Sequence, residues 1–60
     1  MDVKNKRVVV TGAASGIGKA LCEAFHQAKA QSVIAVDMNF DGAQDTADSV
    51  NGIAVQANVG

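Results

Sequence analysis

Three glycines and one carboxylate stand out in this sequence as residues whose types and spacing could do chemistry together. Gly12, Gly16 and Gly18 punctuate the stretch Thr11-Gly12-Ala13-Ala14-Ser15-Gly16-Ile17-Gly18, and Asp37 follows about 20 residues further on. A glycine turn that leads from a strand into a helix aims free N–H groups, and the positive end of the helix dipole, at whatever lies outside the strand's carboxyl end. An anion belongs there, and a pyrophosphate fits best. Glycine is needed because such a turn uses backbone angles closed to other residues. In addition, no Cβ can stand between backbone and phosphate, and the helix must pack close to the strand. A carboxylate closing the next strand can accept hydrogen bonds from ribose hydroxyls. Glycine turn and acid together point to a dinucleotide. The plain alternative is an ordinary strand-turn-helix with an N-cap acid after the second strand.

The elements that must position these residues are legible in the hydrophobic pattern. Val8-Val9-Val10 is a β-branched run without polar alternation, which predicts a strand over residues 7–11 covered on both faces, as in a parallel sheet. The turn runs to Gly16 and a helix follows to about Lys29, with Ile17, Ala20, Leu21, Ala24, Phe25 and Ala28 spaced to form its inward face. Ser32-Val33-Ile34-Ala35-Val36 is a second β run ending in Asp37. A second helix is expected over residues 41–50, with Ala43, Ala47 and Val50 inward and Asp41, Asp45 and Asp48 solvated. Asn51-Gly52 stops it, and Ile53-Ala54-Val55-Gln56-Ala57 makes a third strand that ends at Asn58-Val59-Gly60. Residues 1–6 read as a polar lead-in, ordered only where Lys6 and Arg7 enter the first strand.

The order is therefore β-α-β-α-β, an α/β class and a partial Rossmann fold: one mononucleotide-binding half with a three-stranded parallel sheet in spatial order 3-2-1 and both helices on one face. Sixty residues is one domain at most. Strands of this type expect cover on both faces, yet the chain supplies helices for one, and the first strand has an open edge. The expectation is that residues 1–60 are the N-terminal half of a dinucleotide-binding domain, a fragment unstable alone, or a chain that buries its second face against another.

Composition limits the alternatives. The chain is 48% hydrophobic with a formal net charge of -1 and no Pro, Trp or Tyr. Without a lysine or arginine cluster there is no electrostatic footprint for nucleic acid, and none for an anionic membrane surface. No apolar stretch approaches a membrane span, and the charged start has no signal-peptide core. The single cysteine, Cys22, suits a reducing compartment. The expected location is cytoplasmic, with an organelle matrix as the alternative.

The stretch from Val8 to Ala20 resembles the cofactor loop of the short-chain dehydrogenase/reductase family, whose pattern T-G-x-x-x-G-x-G is met at Thr11, Gly12, Gly16 and Gly18. That spacing differs from the G-x-G-x-x-G of other Rossmann enzymes. The resemblance covers essentially all sixty residues, about the first quarter of a typical member. It implies that Gly12 makes the turn, that Ser15, Gly16 and Ile17 line the pyrophosphate and the nicotinamide-side ribose, and that Gly18 allows close helix-strand packing. It further implies that Asp37 holds the adenosine ribose with Met38 beside the adenine, and that Asn58 and Val59 touch the adenine ring where the family usually has Asp-Val. Users of NADP in the family tend to carry Arg or Lys before the middle glycine or after the second strand. Here those places hold Ser15 and Met38, and Asp37 would repel a 2′-phosphate, so NAD is the expected cofactor. Where the family usually has Gly-Ala before the second strand, this chain has Ala30-Gln31. A left-handed helix stop at Ala30 would cost about 1 kcal/mol, or the helix ends differently.

The family's reaction is hydride transfer between nicotinamide and an alcohol or carbonyl carbon, with a tyrosine in Y-x-x-x-K as acid-base residue. This chain has no tyrosine, so no catalytic residue is assigned in it. A small-molecule substrate is implied for the full-length protein only. Family members are commonly dimers or tetramers, so a homo-oligomer is a candidate state, built through helices not in this chain. His26 and Cys22 fall off the expected inward stripe and are read as solvated or boundary residues; the three aspartates of the second helix are read as a solvated side, so no metal site is assigned. Two functions remain open: the NAD-binding N-terminal part of an oxidoreductase, or a non-catalytic truncated nucleotide-binding or interaction module. A third, a triphosphate-binding α/β module, lacks the G-K-[S/T] it would need.

Overall fold

A computed structural model describes residues 3–57. The elements run β1 (Arg7–Thr11), α1 (Gly16–Gln27), β2 (Ser32–Asp37), α2 (Phe40–Ser49) and β3 (Ile53–Gln56). The three strands form one parallel sheet in the order β1-β2-β3, which is the expected 3-2-1 order seen from its other edge. Val8 pairs with Val33 and Val10 with Ala35, and Ala35 pairs in turn with Ala54. Side chains alternate along a strand, so these five share one face. Against them pack Cys22 of α1, Ala43 and Ala47 of α2, and Val50 at its C-cap, and this is the core. Its residues are small, which lets both helices lie close to the sheet.

The opposite face carries Val9, Ile53 and Val55, which are 61%, 57% and 40% exposed, while Val36 is sheltered in the central strand. The helices thus cover one face of the sheet, as the length of the chain implied.

Helix α1 differs from its expected face. Ile17 and Leu21 are 79% and 45% exposed, whereas Gly18 and Cys22 are buried and Phe25 is half-buried. The apolar residues recur with the period of a helix, but the turn decides which side faces in. Gly18 must lie against Gly12 for the turn to close, and Cys22 and Phe25 follow it at i+4 and i+7. Cys22 is therefore a core residue rather than a boundary one, and His26 is exposed as expected.

The helix also stops earlier than Lys29, and Ala30 is not its left-handed residue. Ala28 is the C-cap, Lys29 takes φ 71°, and the N–H groups of Lys29 and Ala30 donate to the carbonyls of His26 and Phe25. This is a Schellman stop with lysine at the position glycine usually fills. A Lys29→Gly variant is expected to gain about 1 kcal/mol, seen as a rise of roughly 4–8 °C in melting temperature. An unchanged or lower melting temperature would count against that strain.

The lead-in is ordered further back than expected. Val3 is buried, Asn5 takes φ 63°, and the Asn5 N–H donates to the Lys29 carbonyl while the Gln31 N–H donates to that of Lys6. This turn clips the start of the chain to the α1–β2 connection. Helix α2 lies one residue earlier than the expected 41–50, because Asn39 caps it through a bond from the Gly42 N–H. Asn51 (φ 54°) stops it, with the Gly52 N–H donating to the Ala47 carbonyl. Strand β3 ends at Gln56, one residue short of expectation.

Candidate functional site

The carboxyl ends of β1 and β2 lie side by side in the sheet, Thr11 opposite Val36, and the site grows from them. Past Thr11 the Ala13 N–H donates to the Val36 carbonyl at 3.1 Å, so β2 guides the first step of the turn. Gly12 takes φ 69°, a conformation that suits glycine, and turns the chain back over the sheet end. Ser15 then starts α1. Its Oγ donates to the Gly12 carbonyl at 2.7 Å and accepts the Gly18 N–H at 3.0 Å, tying the turn to the helix it feeds. The backbone N–H groups of Gly16 and Ile17 have no hydrogen-bond partner among the described residues. They are first-turn donors at the positive end of the dipole, the arrangement that receives an anion.

Asp37 closes the site from β2. Its Oδ2 accepts the Ala14 N–H and its Oδ1 the Asn39 N–H, both at 2.9 Å. The bonds from Asn39 and Ala14 hold its carboxyl below the usual aspartate range. The ionised form is therefore the one the fold favours. Its contribution to stability is complete above the ordinary aspartate pKa of about 3.9 and is lost as pH falls through the lowered value. A carboxylate has roughly four lone-pair positions, so two backbone bonds leave acceptors for a ligand.

The structure thus brings together Gly12, Ser15, Gly16, Ile17, Gly18 and Asp37 at one end of the sheet. Met38 follows Asp37 directly and is 58% exposed, its carbonyl accepting from Gln56 Nε2. Asn58 and Val59 lie outside the described residues. Ser15 has a task beyond the expected lining role, as the cap of α1.

Three residues around the turn were missed in the sequence. Thr46 of α2 donates through Oγ1 to the Ala13 carbonyl at 2.8 Å. Gly42 lets α2 approach, since a Cβ there would stand 2.6 Å from that of Ala14. Asn39 caps α2 and donates to Asp37. The signals were present: an asparagine just before an amphipathic helix, and a lone polar residue on a stripe of Ala43, Ala47 and Val50. No helix is long and apolar enough to cross a membrane among the described residues.

Residues 6–59 match the family described as short chain dehydrogenase. Over 44 residues the chain is 46% identical to fluoren-9-ol dehydrogenase of Terrabacter sp. (strain DBF63), an alignment covering 73% of this chain and 12% of that protein. Among solved structures, a short chain dehydrogenase/reductase from Burkholderia phymatum in complex with NAD superposes with a TM-score of 0.88 at 25% identity, covering 98% of this chain and 22% of that one. The structure of a ribose-5-phosphate isomerase from Brucella melitensis 16M superposes with a TM-score of 0.89 at 33% identity, covering 97% of this chain and 22% of that one. The chain spans a small part of each of these relatives.

Proposed function

The chain belongs to the short-chain dehydrogenase/reductase family, and from that premise we propose that Gly12, Ser15, Gly16, Ile17 and Gly18, with Asp37 and Met38, form part of an NAD site in an oxidoreductase. The observation that carries the proposal is the pairing of an anionic and an anion-binding feature at one place. Asp37 sits 2.9 Å from the turn whose Gly16 and Ile17 N–H groups have no partner among the described residues. A diphosphate flanked by a ribose with free hydroxyls needs both within a few ångströms.

In this proposal the N–H groups of Gly16 and Ile17 bind the pyrophosphate, Asp37 accepts from the adenosine ribose hydroxyls, and Met38 lies along the adenine. Asn58 and Val59 extend that contact. Asp37 favours NAD over NADP, because a 2′-phosphate would meet its carboxylate and neither Ser15 nor Met38 offers a cation. The bound nicotinamide would supply hydride transfer to or from an alcohol or carbonyl carbon. This chain's residues bind and orient, and the acid-base group belongs to the rest of the whole protein, since these residues include no tyrosine. The substrate class is a small alcohol or carbonyl compound, the location cytoplasmic and the assembly a homo-oligomer. A relative of the same fold is described as a ribose-5-phosphate isomerase, and fold alone does not choose the reaction. The exposed sheet face with Val9, Ile53 and Val55 favours a second reading, a non-catalytic interaction module.

Calorimetric titration of the protein and its Gly16→Ala variant with NAD separates these. An added Cβ at Gly16 meets nothing within 4 Å, so the fold accepts it. It would nevertheless stand in the anion cradle, and the expected result is an unchanged melting temperature with a Kd for NAD raised about tenfold or more, roughly 1.4 kcal/mol. Equal NAD affinity in both proteins would remove the pyrophosphate from this turn. No binding by the unaltered protein would leave the interaction module.

A further inference from the structure

Among the described residues, Thr46 is the one buried polar side chain, 1% exposed on a helix stripe otherwise made of Ala43, Ala47 and Val50. Packing alone gives no reason for a hydroxyl there. What the hydroxyl does is donate to the carbonyl of Ala13, while the N–H of Ala14 donates to Asp37 Oδ2. Carbonyl and N–H here belong to one peptide unit, the bond between Ala13 and Ala14. Its two ends are gripped by side chains from two different elements, α2 and the end of β2.

We infer that Thr46 is a positioning residue for the anion cradle, acting with Asp37 to lock the Ala13–Ala14 peptide plane. A peptide plane can turn over by compensating changes in the dihedrals on either side of it. Here a turned plane would set the Ala14 N–H against the buried region of Thr46 and the Ala13 carbonyl against the Asp37 carboxylate. With both bonds made, the plane is fixed, and the next residues, Ser15 and Gly16, leave it in the direction that opens α1 toward the ligand. The close approach of α2, with Gly42 against Ala14, brings Thr46 within reach. A buried carbonyl stripped of its donor loses its partner without gaining water, so the peptide without Thr46 has less to hold it.

This inference rests on the cradle being a cofactor site, and the test separates the two claims. Thr46→Val keeps the β-branched shape and removes the hydroxyl; Thr46→Ser keeps the hydroxyl. Each is titrated with NAD and with inorganic pyrophosphate, which has no ribose, and amide exchange is followed at Ala14 and at the core residues Val33 and Ala35. In Thr46→Val the expected result is a Kd about tenfold higher for both ligands, and exchange at Ala14 about tenfold faster relative to Val33 and Ala35. Thr46→Ser should stay within about twofold of the unaltered protein in both readouts. Thr46→Ala gives the same comparison if valine crowds Ala13 and prevents folding. The inference is overturned if removal of the hydroxyl leaves Ala14 exchange and both affinities unchanged. It is equally overturned if exchange rises alike at Ala14, Val33 and Ala35 and serine does not restore it, because Thr46 would then only fill space. Absence of NAD binding by the unaltered protein counts against the cofactor reading, and the Ala14 exchange then decides by itself whether Thr46 holds the peptide.

Discussion

Gly18→Ala is expected to cost this protein about a third or more of its folded stability. The added Cβ would fall against the Gly12 carbonyl oxygen, 2.7 Å from the Gly12 carbonyl carbon and 2.9 Å from the Ala13 Cα. All are backbone atoms of a turn already fixed by Gly12 at positive φ and by the Ala13 bond to Val36. None can swing aside as a side chain would. The helix must therefore back away, breaking the bond from the Gly18 N–H to Ser15 Oγ and lifting Cys22 from the sheet. Overpacking of this kind costs about 3 kcal/mol. A domain of this size has on the order of 3–9 kcal/mol to lose. Urea unfolding followed by circular dichroism should show a large fall in midpoint, or no cooperative transition. The neighbouring Gly16→Ala serves as the control, since both are glycine-to-alanine changes in one turn of helix. A Gly18→Ala midpoint equal to that of Gly16→Ala would contradict the packing described here.

The second large effect is expected at Asp37. An asparagine has the same shape, but only its oxygen accepts; either the Ala14 or the Asn39 N–H then loses its partner, and the charge that strengthens the bonds to a ribose is gone. Under the proposed function, Asp37→Asn should raise the Kd for NAD by at least about tenfold. It should raise the Kd for NADP far less, because the repulsion of the 2′-phosphate disappears with the charge. The ratio of the two affinities is the measurement. An unchanged ratio would detach Asp37 from cofactor choice. The pH dependence gives a second check. Bonds from Asn39 and Ala14 hold the carboxyl below the ordinary range, so stability and NAD affinity in the unaltered protein should stay level down to about pH 4. Both should then fall as the carboxylate protonates, and Asp37→Asn should lack this acid-side loss.

How much of this was legible in the sequence varies with the kind of information required. The strands were plain from Val8-Val9-Val10 and Val33-Ile34-Ala35-Val36, and the stop at Asn51-Gly52 from turn chemistry, because those signals are local. The direction in which α1 faces was not local. Its apolar spacing through Ile17, Leu21 and Ala24 is a true stripe, but it lies on the exposed side, and a contact between Gly18 and Gly12 fixes the rotation of the helix. The same applies to the helix stop. The absence of glycine points the left-handed stop to Ala30, yet Lys29 takes that angle because the His26 and Phe25 carbonyls are capped from Lys29 and Ala30. Around the site, the glycines and Asp37 could be found by spacing. Thr46, 33 residues from the carbonyl it binds, could be seen only as a polar residue out of place.

The inward rotation of α1 gives the chain a reporter of its own opening. Cys22 is wholly buried between helix and sheet, and burial first, then the nearby Glu23, push its thiol above the ordinary value. Alkylating reagents attack the thiolate and must reach it, so in the closed molecule both conditions fail together. Labelling can proceed only during the moments when α1 parts from the sheet. The rate at which a native sample takes up such a reagent therefore counts those partings, and does so with no engineered probe, because the chain has one cysteine.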